Sequence, residues 1–88
     1  MLSQRVQTAM PAPRKDDVVQ RIHQIVRAKH PACRDYVHYH VENVQLEIIQ
    51  KEKRWNLALG PANAIAQMSD GVLENHIEEM KRIAPVSH

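Results

Sequence analysis

The sequence predicts an all-α fold, a small bundle of about four helices built around one long central helix. Three observations lead there. The 88 residues hold two glycines and no phenylalanine, and are rich in Ala, Gln, Glu, Arg, Val and Ile. Helix-interrupting residues fall at few places: Pro11, Pro13, Pro31, Gly60-Pro61, Gly71 and Pro85. Between them, apolar residues recur at steps of three and four, the helical period.

Pro11 and Pro13 punctuate the beginning. Residues 1–14 read as a flexible basic N-terminal tail ahead of a helical domain over residues 15–85. Arg5, Arg14 and Lys15, with no acid before Asp16, also fit a mitochondrial targeting segment, but a disordered basic tail is the simpler reading. A first helix starts near Asp16 or Asp17, either of which can cap it. It presents Val18, Val19, Ile22, Ile25 and Val26 as one stripe. His30-Pro31 ends it, because the residue before a proline avoids the helical region.

Pro31 suits the first position of a new helix, and no glycine or proline follows until Gly60-Pro61. The expectation is therefore one helix from about 31 to 59. Its main stripe is Val37, Val41, Val44, Ile48, Trp55 and Leu59. Tyr39, Leu46 and Leu57 lie on the opposite side, flanked by Ile49. A helix that is apolar on two sides sits between two partners. Gly60 closes it in a left-handed cap. A short helix follows over 61–68, then the capping turn Ser69-Asp70-Gly71, then a last helix over 71–84 with Val72, Leu73, Ile77, Met80 and Ile83 on its apolar face. Pro85 stops it.

Net charge is +2 but unevenly spread. Residues 1–34 hold seven Lys/Arg against two Asp, while residues 60–88 hold two Lys/Arg against four Asp/Glu. An anionic partner would be drawn to the first third; a solvated face plus a tail is the plainer reading. No apolar run approaches the roughly 18 residues of a membrane span, so no membrane partner is expected. The N-terminus lacks the apolar stretch of a secretory signal. Cys33 is the single cysteine, which rules out a disulfide within one chain and fits a reducing, cytoplasmic setting.

Several residues invite chemistry. The six histidines suggest metal, but no CxxC, HxxxH or HExxH occurs and structural zinc needs about four ligands; no metal and no cofactor are expected. Cys33, with His40 as its base, is the one nucleophile pair to weigh. A nucleophile also needs an orienting group and a pocket, and a small bundle leaves little room for a ligand cavity of about 300 Å³, so no catalytic residues are expected. His76 lies in the middle of the last helix's apolar stripe. It must find a hydrogen-bond partner and is a candidate buried pH switch.

The functional expectation is a small non-enzymatic protein–protein interaction module: an adaptor, regulator or inhibitor that self-associates as a homodimer. Its interface is the second apolar side of the long helix: Tyr39, Leu46, Ile49 and Leu57. An unidentified protein partner is the other occupant of that strip. The alternative is a weak nucleic-acid-binding regulator. It would use Arg14, Lys15, Arg21, Arg27, Lys29 and Arg34, or a degenerate C-terminal helix-turn-helix formed by the last two helices. Glu74, Glu78 and Glu79 on the would-be recognition helix argue against the latter.

Overall fold

Residues 34–61 form strands and not a helix, which overturns the all-α bundle. In the computed structural model, which describes residues 14–87, the chain runs α1 (Lys15–Lys29), β1 (Arg34–His40), β2 (Asn43–Gln50), β3 (Lys53–Pro61), α2 (Ala62–Gln67), α3 (Asp70–Ile83) and β4 (Val86–Ser87). The strands make one antiparallel sheet in the order β1-β2-β3-β4. The fold is α+β, and the helical domain expected over 15–85 is corrected accordingly. The tail expected over 1–14 lies outside the described residues except for Arg14, which is exposed.

Numbering explains why a sheet can look like a helix. The more buried positions are odd in β1 (Asp35, Val37, Tyr39), even in β2 (Val44, Leu46, Ile48) and odd again in β3 (Trp55, Leu57, Leu59). Val41-Glu42 and Lys51-Glu52 are two-residue turns that pair His40 with Asn43 and Gln50 with Lys53. A turn of even length joins odd to even partners, so the buried parity inverts at each hairpin. That inversion sets residues 37, 41, 44 and 48 at steps of four, three and four, as a helical stripe would. The β-branched and aromatic residues concentrated here favour the extended chain. Pairing lets three strands share one covered face, where a lone rod would leave its second side in water.

Neither turn carries the Asn-Gly or Asp-Gly that marks tight hairpins. The positive φ they need falls on Val41 (61°) and Lys51 (58°). For a β-branched residue this region is strained, and Val41 is 78% exposed. Gly60 does take a positive φ, 116°, but in a bulge: Val44 pairs with Gly60 and Gln45 with Ala58, leaving Leu59 as the extra residue. The bulge bends β3 into Pro61 and α2, and the Ala62 N–H donates to the Glu42 carbonyl at 2.8 Å.

The three shorter helices expected from the sequence are present within a residue or two. Ser69 caps α3, its Oγ accepting from the Val72 N–H. Asp16 and Asp17 sit in the first turn of α1 without capping it, where their charge still favours the helix dipole. All three helices cover one face of the sheet. Val18, Ile22 and Val26 of α1 meet Val44, Leu46, Ile48, Leu57 and Leu59 of the strands, with Ala62, Ile65, Leu73 and Ile77 from the last two helices. Arg21 locks α1 to the α2–α3 turn, donating to the Met68 carbonyl at 2.7 Å and the Asp70 carboxylate at 2.9 Å. Among the described residues no helix is long and apolar enough to cross a membrane.

Candidate docking face and edge

Because the helices occupy one face, the other is covered by no described element. Register sets its side chains in rows. Arg34, Ile49, Arg54 and Ser87 align across all four strands; Tyr36, Glu47 and Asn56 form the next row; His38, Gln45 and Ala58 the third. Tyr36 is 43% exposed. Glu47 is spoken for: Arg54 Nε lies 2.9 Å and His38 Nε2 3.3 Å from its carboxylate. At the β2–β3 turn, Arg34, Lys51, Lys53 and Arg54 surround a shallow depression of about 250 Å³ with Ile49, Glu52 and Ser87.

The two edges of the sheet also differ. On the β3 side, Val86 and Ser87 pair with Trp55 and Arg54, and His76 Nε2 donates to the Leu59 carbonyl at 2.8 Å. On the outer side of β1 no described strand pairs. The two-residue turn makes His40–Asn43 a hydrogen-bonded pair, and such pairs alternate along an antiparallel ladder. The even-numbered residues of β1 therefore bond to β2. The main-chain groups of Asp35, Val37 and Tyr39 face outward.

On the helix-covered side, around the start of β1, lies a polar cluster that reaches across to β3. The Asp35 side chain is 4% exposed and hydrogen-bonds His23 Nδ1 on α1. His30 bonds Glu78 at 2.8 Å, and Lys81 lies 4.4 Å over the Trp55 ring. Cys33 sits among them. Burial pushes its thiol pKa up, more than Lys81 pulls it down, so the thiolate is scarce near neutral pH. Cys33 precedes β1 on the covered side, and His40 ends β1 on the bare side. The nucleophile–base pair weighed from sequence is separated by a whole strand, about 23 Å at 3.3 Å per residue. Among the described residues no group of three or more His, Cys, Asp or Glu is placed to hold a metal ion.

The interface expected on the long helix is corrected by this geometry. Leu46 and Leu57 are a cross-strand pair in the core, 1% and 2% exposed. Tyr39 packs beside them under Lys15, and its hydroxyl is buried without a hydrogen-bond partner among the described residues. Ile49 faces the opposite way, into the depression. The four do not form one strip. The basic set is divided as well. Arg21 is tied to Asp70 and Lys29 to Glu74, Lys15 lies over Tyr39, and Arg14 and Arg27 are exposed at α1. Arg34 alone reaches the sheet depression. Of the two cations of α3, Lys81 lies over the Trp55 ring and Arg82 pairs with Glu79 at the surface. His76 is half-buried and satisfied.

Sequence reasoning missed Tyr36, Lys51, Lys53 and Arg54. The signal was the alternation in Arg34-Asp35-Tyr36-Val37-His38-Tyr39-His40, which puts Arg34, Tyr36, His38 and His40 on one face of a strand. Comparison with protein-family models, with curated proteins and with solved structures finds no match to this chain.

Proposed function

We propose that the protein is a non-enzymatic interaction module that associates through the outer edge of β1, with a second copy of itself as the partner. The observation that carries this reading is the open edge: a seven-residue strand with no described strand on its outer side. Unpaired strand edges are templates for another strand, and a two-fold contact uses the same patch twice. Antiparallel pairing centred on Val37 sets Asp35 of one copy against Tyr39 of the other, so that all three outward-facing residues form hydrogen-bonded pairs. That amounts to about six main-chain hydrogen bonds. It also covers Val37 and Tyr39, which are only partly buried in a single copy.

The raised Cys33 thiol and its distance from His40 support a non-enzymatic role. The free thiol fits a reducing, cytoplasmic setting. Sedimentation equilibrium at micromolar concentration tests the proposal. Val37→Pro removes an outward N–H without touching the β2 ladder, a substitution edge strands tolerate. The expected result is a dimer that this variant converts to a folded monomer. A monomeric unmutated protein, or a dimer that Val37→Pro leaves intact, refutes edge pairing.

A further inference from the structure

We propose that the bare sheet face at the β2–β3 turn is a binding site for single-stranded nucleic acid. The site differs from the basic third expected from sequence and from the β1 edge. It begins with charge. Four cations, Arg34, Lys51, Lys53 and Arg54, line the depression against one carboxylate, Glu52. Arg54 is shared with Glu47. Arg34, Lys51 and Lys53 have no carboxylate partner among the described residues, unlike Arg21 and Lys29 of α1. Cations held together without counter-charges repel one another, and a phosphodiester backbone relieves that repulsion while releasing its own counterions.

Shape and apolar surface then select the form of the nucleic acid. Ile49 forms an apolar floor between Arg34 and Arg54. Tyr36 stands two residues along β1 from Arg34 on the same face, about 6.8 Å away, with its ring exposed. His38 follows it on the same face. Rings beside a basic groove are the elements of a single-strand platform, because unpaired bases stack on them whatever their sequence. A duplex keeps its bases inside. Its major groove admits a helix or a two-stranded ribbon, and this broad sheet face presents neither. Edge pairing of β1 leaves the site open, since it uses the main chain of Asp35, Val37 and Tyr39.

Fluorescence anisotropy tests the proposal with labelled oligouridine and oligothymidine of about 20 nucleotides, a duplex of equal length, and heparin as competitor, at about 50 and 200 mM salt. The expected result is binding of either single strand at least about tenfold tighter than the duplex, with log affinity falling linearly in log salt. The double charge reversal Lys51→Glu with Lys53→Glu weakens it more than about tenfold. Tyr36→Ala weakens it about tenfold, and Tyr36→Phe stays within about twofold. Unchanged far-ultraviolet circular dichroism separates these losses from unfolding. No binding at low salt overturns the site. So does a duplex bound equally well, or single-strand affinity indifferent to Tyr36→Ala and competed stoichiometrically by heparin, which marks an unspecific polyanion surface.

Discussion

On the β3 side of the sheet, β4 pairs with Arg54 and Trp55 and His76 donates to the Leu59 carbonyl; on the β1 side, seven residues run without a described strand beside them. The β3 side is covered from the last third of the chain: β4 pairs with Arg54 and Trp55, and His76 of α3 occupies the carbonyl of Leu59, the extra residue of the bulge. The open side keeps one safeguard, the inward-pointing carboxylate of Asp35. Inward charges are a known way of discouraging unwanted pairing, but this one is already held by His23. The contrast teaches that a small sheet can spend its protection on one edge and keep the other available.

The largest effect is expected at Asp35, on the open side. His23→Ala leaves a buried carboxylate without its partner, and the expected cost is about 2–3 kcal/mol in urea denaturation. Replacing both residues by leucine should cost much less than the single change, since an apolar pair of similar volume can equal a buried polar one. A loss below about 0.5 kcal/mol for His23→Ala would mean that the pair does not hold the β1 side.

The guarded edge is tested by His76→Leu. Leucine suits the neighbouring apolar residues, but the Leu59 carbonyl loses its donor. The expected net cost is about 1 kcal/mol, with a rise in light scattering as the β3 edge becomes available. Unchanged stability together with unchanged scattering would show that His76 does not guard this edge.

The smallest effect is expected at the hairpin that joins β1 to β2. Val41→Asn places a residue that tolerates positive φ where a β-branched one is strained. A gain of about 0.5–1 kcal/mol in thermal or urea denaturation is expected. Because Val41 is largely exposed, little packing is lost. A destabilised variant would show that the valine side chain contributes more than its turn costs.

The extents and apolar faces of the three helices were legible from neighbours within a few residues, although Asp16 and Asp17 do not cap the first of them. Pro31 and Pro85 end helices for steric reasons, Ser69 supplies a side-chain cap, and Val18, Ile22 and Val26 share a face because 3.6 residues make a turn. Those features stand in the structure. Residues 34–61 were ambiguous locally. Their apolar spacing satisfies a helix across the turns and a strand within each segment, and neither Val41-Glu42 nor Lys51-Glu52 announces a hairpin. Tertiary structure decided between them. Pairing Leu46 with Leu57 and Ile48 with Trp55 lets one layer of helices cover every large apolar residue of β2 and β3 but Ile49, whereas a single rod leaves a second apolar side in water. The candidate sites follow from that same decision: Arg34, Tyr36 and Arg54 share a surface only because three strands lie side by side, and hydrogen bonds between strands join residues that the sequence keeps far apart.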